Sequence, residues 1–346
     1  MPDAEIIPFG SPGEPERPAA SIGPSKAARL VGNTGPQPAP PGAPAGRRRV
    51  PTDPSGLPVD PPEVITDAEI PLADEGWMDF LRRRVSGDYS VDDFGFDPEL
   101  TDRVLLAMLR PLYRSWFRVE TTGLENVPST TGALVVANHS GVIAMDAAMA
   151  QVALHDEHPA HRHLRMLGAN LVFQTPFMGE VARKAGHTLA CHPDAERLLA
   201  AGELVGVWPE GFKGVGKPFG QRYRLQRFGR GGFVAAALRT GAPIIPTAIV
   251  GAEEIYPMIG NAKTIARTLG LPYFPITPTF PWMGPLGMVP LPSKWLIHFG
   301  EPILTDHFPE GSADDPMIVF NLTDQVREQI QQSLYRLLVK RPSAFG

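Results

Sequence analysis

The stretch GALVVANHSGVIAMDAAMAQVALHD, residues 132–156, decides the fold. Its first part, 132–138, is a short apolar run that predicts a buried strand, and residues 144–156 have the pattern of a helix. His139 and Asp146 lie at the junction of the two. A strand that passes directly into a helix is typical of α/β proteins, in which sites form where strands end and helices begin.

Strands and helices alternate through the rest of the chain. The apolar runs predict further strands over 164–170, 204–211, 243–251 and 294–300. Helical patterns cover 175–186, 194–202 and 229–241. Gly241 closes the last of these, at the position where a helix commonly stops. This alternation predicts an α/β domain with a largely parallel sheet flanked by helices.

The first 73 residues differ in composition from the rest of the chain. Pro, Gly, Ala and Ser dominate them, and apolar periodicity is absent. Such a segment buries too little apolar surface to offset its ordering entropy, so we predict a disordered tail over 1–73. The folded domain is predicted over 74–346, with N-terminal helices at 74–119, a core at 120–302 and a C-terminal helix region at 303–346.

A predicted amphipathic helix, residues 98–119, precedes the core. Pro111 is expected to kink it or to divide it in two. Its arginines lie three, four or seven positions apart and so share one face: Arg103, Arg110, Arg114 and Arg118. That face is either a solvated helix surface or a basic surface for anionic lipid headgroups, with Trp116 and Phe117 at the interface.

Composition excludes several classes of protein. The formal net charge of -5 gives no reason to expect nucleic acid as a partner. Cys191 is the single cysteine, so no internal disulfide forms, as is usual in a reducing compartment. The first ten residues lack the features of a signal peptide. Residues 268–293 are long enough to span a membrane, but prolines interrupt them every few positions. We therefore expect a soluble or peripheral cytoplasmic protein.

The pair His139 and Asp146 suggests acid–base chemistry. A carboxylate on one imidazole nitrogen fixes the tautomer and leaves the other nitrogen to accept a proton. A helix that begins near Val142 would place Asp146 in its second turn, where it can point back to the imidazole. In the alternative interpretation, Ser140 caps the helix and His139 has no chemical role.

A second candidate site is the loop in GELVGVWPEGFKGVG, residues 202–216. Glycine amides beside Lys213 and Lys217 are suited to hold an anion. Residues 211–217 match the first part of a nucleotide-binding P-loop, but Pro218 stands where its Ser or Thr belongs. The match therefore does not indicate a nucleoside triphosphatase.

Two further patterns, a histidine-rich tract and a serine, have features of functional sites. The tract HDEHPAHRH, residues 155–163, is rich in histidine, yet Pro159 breaks any single helix face. We interpret it as a solvated connector and predict no metal. Ser140 lacks the G-x-S-x-G surroundings of a hydrolase nucleophile, because Asn138 stands in place of the first glycine.

Several short motifs in this order resemble those of the glycerolipid acyltransferase family, typified by bacterial lysophosphatidate acyltransferases. They are Asn138-His139 with Asp146, the run Pro209-Glu210-Gly211-Phe212-Lys213, the strand APIIPTAIV with Pro243 and Pro246, and Gly179 with Arg183. Two features depart from the usual pattern. The aspartate follows the histidine by seven positions rather than five, a variant found in a branch with diacylglycerol-acyltransferase-like proteins. Lysine also replaces the usual arginine at Lys213.

The resemblance implies an enzyme at the membrane surface. His139 would act as general base on an acceptor hydroxyl, and Asp146 would orient it. The donor would be acyl-CoA or acyl carrier protein, and the acceptor a lysophospholipid or a glycerol-phosphate-type lipid. The residues implied in binding the substrate or its phosphate are Asn138, Glu210, Gly211, Lys213 and Arg183. No metal or other cofactor is implied, and the expected location is the inner face of the membrane.

Two alternatives to this function stay open. The acceptor can be a neutral glyceride or another alcohol, because lysine lacks the two-pronged geometry with which arginine holds a phosphate. The chain can also be a non-catalytic lipid-binding protein with the same fold. The uncharged, proline-rich residues 271–292 either line an acyl-chain groove, or dip into the membrane interface, or simply cover the core.

Overall fold

Seven strands form one sheet at the centre of the chain. The structure is a computed structural model that describes residues 76–140, 143–229, 231–341 and 343–345, so the predicted tail lies outside the described residues. The strands are β1 Glu120–Thr122, β2 Ala133–Ala137, β3 Leu164–Gly168, β4 Thr188–Leu189, β5 Leu204–Val207, β6 Ile244–Val250 and, after a small hairpin, β9 Leu296–Phe299. Their order is β1-β9-β6-β2-β5-β3-β4.

The sheet is parallel except where β9 pairs with β6. The hairpin consists of β7 Gly260–Asn261 and β8 Pro275–Ile276. The α-helices are α1 Trp77–Ser86, α2 Pro98–Leu100, α3 Ala107–Pro111, α4 Met145–Glu157, α5 Asn170–Gln174, α6 Met178–Lys184, α7 His192–Ala200, α8 Phe212–Val215, α9 Gly232–Thr240, α10 Lys263–Thr268 and α11 Pro316–Lys340. The predicted α/β class is confirmed, whereas the predicted domain boundaries stay predictions.

Strand β2 is buried on both faces. Leu134 and Val136 pack in a cluster with residues of α7, α9 and α11. Ala133, Val135 and Ala137 point the opposite way, into a cluster with residues of α4 and the N-terminal helices. Because successive side chains of a strand alternate between faces, an unbroken apolar run is what a sheet covered on both sides requires.

The predicted helix over 98–119 is one continuous helical run. Pro111 does not end it, because π-helical turns at Thr101–Leu106 and Leu112–Trp116 flank α3 and accommodate the altered hydrogen bonding. Arg110 and Arg114 both form ion pairs with Asp156 of α4. These two arginines therefore tie the helical run to the core.

The histidine tract is not a solvated connector, contrary to our interpretation of the sequence. His158 and His163 are buried. Nδ1 of His158 accepts the amide of Ala160, and its Nε2–H donates to the carbonyl of Val127. The chain turns back at this point to enter β3, and that turn carries the imidazoles inward, where periodicity along a single helix does not place them.

The proline-rich residues 271–292 form part of the hairpin and a 3₁₀ turn at Gly284–Met288. The turn and its flanks carry exposed apolar side chains, namely Trp282, Met283, Leu286, Met288 and Val289. The indole N–H of Trp116 donates to the carbonyl of Pro290 and joins this segment to the N-terminal helical run. Within the described ranges, no helix is both long enough and apolar enough to cross a bilayer.

Candidate active site

The polar residues singled out in the sequence meet at the carboxyl ends of β2 and β5. These strands are neighbours, with Val136 opposite Val207, so the segments that follow them leave the same edge of the sheet. From there β2 leads to α4 on one face, and β5 leads towards α9 on the other. A crevice opens where successive connections diverge in this way, and α/β proteins bind ligands there.

His139 and Asp146 are in direct contact. Nδ1 of His139 lies 2.8 Å from Oδ2 of Asp146. The carboxylate is fully buried and also accepts the backbone amides of Ser140 and Ala147, each at 2.9 Å. Asp146 belongs to the first turn of α4, where the helix dipole stabilises negative charge. A fully hydrogen-bonded carboxylate can therefore hold the imidazole in one orientation.

The chemistry follows from which nitrogen of His139 remains available. Because the Asp146 carboxylate accepts the proton of Nδ1, the neutral ring presents Nε2 as a base. The His139 side chain keeps 16% of its surface exposed, so a ligand can reach the ring. The pair has the geometry of a general base with its orienting acid.

The helix begins later than we predicted. Ala144 is the residue before the first turn, and Ser140 is buried outside the helix, so the interpretation of Ser140 as helix cap is wrong. Asp146 consequently lies in the first turn rather than the second. The seven-residue interval is compatible with the contact because α4 begins at Met145 and its first turn holds Asp146 within hydrogen-bond distance of the imidazole.

Asn138 has a positioning role in the structure, and its predicted part in substrate binding stays a prediction. Its side chain is fully buried. The amide NH₂ donates to the carbonyl of Ile249 and the amide oxygen accepts the N–H of the same residue, at 3.0 and 2.8 Å. Asn138 thus fixes the end of β2 against β6, directly before His139.

Glu210 is also buried, and its carboxylate shapes the loop that follows β5. Oε1 accepts the backbone N–H of His139 at 2.9 Å, and Oε2 accepts that of Gln226. Such hydrogen bonds to a charged group contribute about 1.5–3 kcal/mol each. Glu210 therefore couples the loop after β5 to the backbone of His139.

Two glycines permit this close approach of the loops. Gly211 has φ +53 and ψ -141, a conformation that residues with a side chain rarely adopt. A Cβ atom on Gly214 would lie 2.7 Å from the carbonyl oxygen of His139. Any side chain at 214 would push the two loops apart, so the glycines seen in the sequence serve packing at this site.

A buried lysine completes the loop, and the sequence did not reveal its role. Nζ of Lys217 lies 3.5 Å from Glu210 and 3.2 Å from Glu253, and its side chain is 2% exposed. Burial raises the pKa of Glu253 to about 7, although the charge of Lys217 opposes this shift. The acid at 253 follows β6, so strand ends at one sheet edge bring the three charges together.

A pocket of about 540 Å³ opens on the outer side of the Glu210 loop. Lys213 and Arg227 contribute its positive charge, and Phe212 and Phe228 its apolar wall. Arg227 was missed in the sequence, where the basic run RYRLQR at 222–227 is the available signal. Lys213, which the sequence resemblance implies in phosphate binding, is thus part of the pocket wall.

Arg183 is not brought to this pocket by any contact among the described residues. It is exposed on α6, with its guanidinium 5.0 Å from the ring centroid of Phe173. Tyr273, in contrast, was not singled out for the site, although burial and the charge of Asp146 raise its pKa to about 12. A Cβ atom on Gly216 would lie 3.4 Å from Cδ1 of Tyr273, so the proline-rich segment packs against the loop that follows β5.

Comparison with known proteins places the chain in a family. Residues 118–250 match the model of the acyltransferase family. An uncharacterized protein of Mycobacterium tuberculosis is 63% identical over 266 residues, which cover 77% of this chain and 74% of the relative. An uncharacterized protein of Mycobacterium leprae is 62% identical over 266 residues, covering 77% of this chain and 72% of the relative.

The crystal structure of the 1-acyl-sn-glycerophosphate (LPA) acyltransferase of Thermotoga maritima is also similar. It aligns with a TM-score of 0.46 and 19% identity, over 71% of this chain and 85% of that chain. The matched residues 118–250 include His139, Asp146 and the Glu210 loop. The resemblance noted in the sequence is thereby confirmed, and the chain belongs to the acyltransferase family.

Proposed function

We propose that this protein transfers a fatty acyl group from the thioester of acyl-CoA or acyl carrier protein to a lipid hydroxyl at the membrane surface. The acceptor is a lysophospholipid or a glycerol-phosphate-type lipid, and the product belongs to glycerolipid synthesis. The observation that carries the proposal is the 2.8 Å contact between His139 and the buried carboxylate of Asp146. It supplies the base that a hydroxyl nucleophile needs.

The reaction uses one proton transfer in each direction. Nε2 of His139 takes the proton of the acceptor hydroxyl while its oxygen attacks the thioester carbonyl. The tetrahedral intermediate collapses with cleavage of the C–S bond, and the leaving thiolate takes the proton from the imidazolium. Asp146 stabilises that imidazolium between the two steps. An ester and a free thiol are the products, and no redox change occurs.

The pocket beside Glu210 supplies a place for a substrate phosphate. Lys213 and Arg227 carry positive charge on its walls, and charge-assisted hydrogen bonds to phosphate are the strong ones. Both the donor and the proposed acceptor carry phosphate, so this pocket is suited to either. The apolar Phe212 and Phe228 lie beside the cations and are suited to the non-polar part of the ligand.

Peripheral attachment to the inner face of the membrane is the second part of the proposal. Its support is the cluster of exposed apolar side chains at 282–289, in which Trp282 is 73% exposed. Large exposed apolar surfaces mark membrane or protein contacts, and tryptophan favours the membrane interface. Tyr273, from the same proline-rich segment, packs beside Gly216 of the loop that follows β5, so this segment lies next to the candidate site.

Incubation of the purified protein with radiolabelled acyl-CoA and a panel of acceptors tests the function. The panel contains lysophosphatidate, glycerol 3-phosphate, monoacylglycerol and diacylglycerol. We expect labelled phospholipid with stoichiometric release of CoA. If label appears in neutral glyceride alone, the acceptor is a neutral lipid and not a phosphorylated one. The assay is repeated with acyl carrier protein as the donor. If the protein retains lipid but releases neither CoA nor free acyl carrier protein, it is a lipid-binding protein and not an enzyme.

Replacement of Lys213 by alanine is expected to reduce kcat/KM for a phosphorylated acceptor by roughly tenfold to a hundredfold, the effect of losing one charge-assisted hydrogen bond. The loss for a neutral acceptor should be smaller. Steady-state kinetics with both acceptors and the same donor measure the difference. Lys340→Ala, at the exposed end of α11, serves as the control. Equal losses for both acceptors would assign Lys213 to the donor phosphate instead.

A further inference from the structure

A second cluster of polar side chains lies at the opposite end of α4 from the His139–Asp146 pair. It consists of Asp102, His155 and His163. His155 is in the last turn of α4, about 14 Å along the helix axis from Asp146. The acyl-transfer chemistry therefore does not use this cluster.

The three side chains converge on one point. Nε2 of His155 lies 3.1 Å from Oδ1 of Asp102, and Nε2 of His163 lies 3.5 Å from the same oxygen. One ligand atom of each residue lies within 4.8 Å of the others. Metal–ligand bonds of about 2.0–2.2 Å in tetrahedral geometry separate ligand atoms by about 3.3–3.6 Å, so the triangle needs only small adjustment to hold an ion.

The orientation of His155 is fixed by a further carboxylate. Its Nδ1 lies 3.2 Å from Oδ1 of Asp156. Metal-binding histidines usually donate their second N–H to such a carboxylate, which sets the tautomer and directs the other nitrogen to the ion. Arg110 and Arg114 balance the charge of Asp156, so Asp102 supplies the negative charge that faces both imidazoles.

The surroundings combine rigidity with access. The His163 side chain is 1% exposed and its ring packs edge-on against Phe96, with centroids 5.1 Å apart. The side chains of Asp102 and His155 are 25% and 15% exposed. An ion can thus enter from the side of Asp102, and a water molecule can complete its coordination there.

We propose that Asp102, His155 and His163 form a binding site for a divalent transition-metal ion, with Zn²⁺ as the best match. Two imidazole nitrogens and one carboxylate oxygen are a donor set that suits zinc, and they do not suit Mg²⁺ or Ca²⁺, which prefer oxygen alone. The ligands belong to the N-terminal helical run, to α4 and to the segment that enters β3. The bound ion therefore acts as a structural link that holds the N-terminal helical run on the core.

Titration of the tag-free, chelator-treated protein with Zn²⁺ tests the site. We expect one equivalent to bind per chain and the melting temperature to rise with the logarithm of the Zn²⁺ concentration. Co²⁺ should give the visible absorption bands of a four-coordinate nitrogen and oxygen site. Asp102→Asn should weaken Zn²⁺ binding by at least tenfold. Loss of a residue that only hydrogen-bonds to a metal ligand already costs about tenfold to a hundredfold in affinity, and Asp102 is proposed as a ligand itself.

The control variant is His307→Ala, which removes a histidine that is 65% exposed and lies outside the cluster. It should bind both ions as the unmodified protein does. His155→Gln is a second test variant, and far-UV circular dichroism verifies that it and Asp102→Asn are folded. The proposal fails if the unmodified protein binds no stoichiometric Zn²⁺, or if Asp102→Asn and His155→Gln, both folded, bind it as tightly as His307→Ala does.

Discussion

Replacement of His139 by alanine is expected to lower the rate of acyl transfer by about 10²–10⁴-fold, the usual contribution of a positioned general base. The variant loses the nitrogen that accepts the hydroxyl proton, while the phosphate pocket beside Glu210 is unchanged. The loss should therefore fall on kcat rather than on the KM for acyl-CoA. Initial rates of CoA release at saturating donor measure the effect.

Asp146→Asn separates a catalytic pair from a merely structural contact. Asparagine has nearly the same shape, but its amide cannot carry the negative charge that stabilises the imidazolium, and its NH₂ group opposes the donor at Nδ1. We expect a loss of the same order as for His139→Ala. The double variant should be little worse than either single one, because the two residues act as one unit.

Two measurements exclude misfolding and unspecific effects as the cause of lost activity. The melting temperature of each variant shows whether it is folded, and His307→Ala, at an exposed histidine, should keep full activity. If a folded His139→Ala variant retains normal turnover, the acid–base mechanism is wrong and the protein carries out its transfer by another group.

The local part of the site was predictable from the sequence. An unbroken apolar run before His139 and a helix containing Asp146 place both at one strand end, whatever the rest of the fold. The contact forms at 2.8 Å despite the unusual interval. The family resemblance pointed to the same pair and to the loop around Glu210.

The long-range partners were not predictable from one sequence. Asn138 pairs with Ile249, 111 positions away, and Lys217 pairs with Glu253, 36 positions away. The sequence around each residue does not identify its partner, because the order of the strands in the sheet determines which strand ends lie together. For the same reason the local sequence does not show the backbone groups that Asn138 and Glu210 bind.

The histidine tract shows a related limit. A single helix face does not describe the tract, because His155 lies on α4 and His163 lies beyond the turn that follows the helix. The third member of the cluster, Asp102, comes from the N-terminal helical run. Metal sites commonly combine ligands from separate elements, so only the folded arrangement brings these three together.

Replacement of Lys217 by methionine should destabilise the protein by about 3–5 kcal/mol, the cost of removing one partner from a buried ion pair. Methionine fills the same volume but leaves Glu210 and Glu253 facing each other without a cation. For a chain of this size the fall in melting temperature is roughly 6–20 °C. The control is Lys213→Met in the same loop, which is exposed and should change stability by no more than about 0.5 kcal/mol.

The pH dependence of this loss distinguishes a buried charge cluster from simple packing. Burial raises the pKa of Glu253 to about 7. A carboxyl with a raised folded-state pKa favours the folded state at low pH, and that contribution is lost as the pH rises through its folded pKa. Without Lys217 the pKa rises further, so the variant continues to lose stability above pH 7. The difference between the two proteins should therefore be larger at pH 8 than at pH 6.

Denaturant unfolding of both proteins at these two pH values gives the answer. A difference that does not change with pH would mean that Lys217 contributes packing alone. Turnover provides an independent readout, because Glu210 accepts the backbone N–H of His139 and a displaced Glu210 no longer holds the base in place. We expect the folded variant to lose turnover as well as stability, whereas Lys213→Met retains its stability. Loss of stability with normal turnover would show that the Glu210 loop does not position His139.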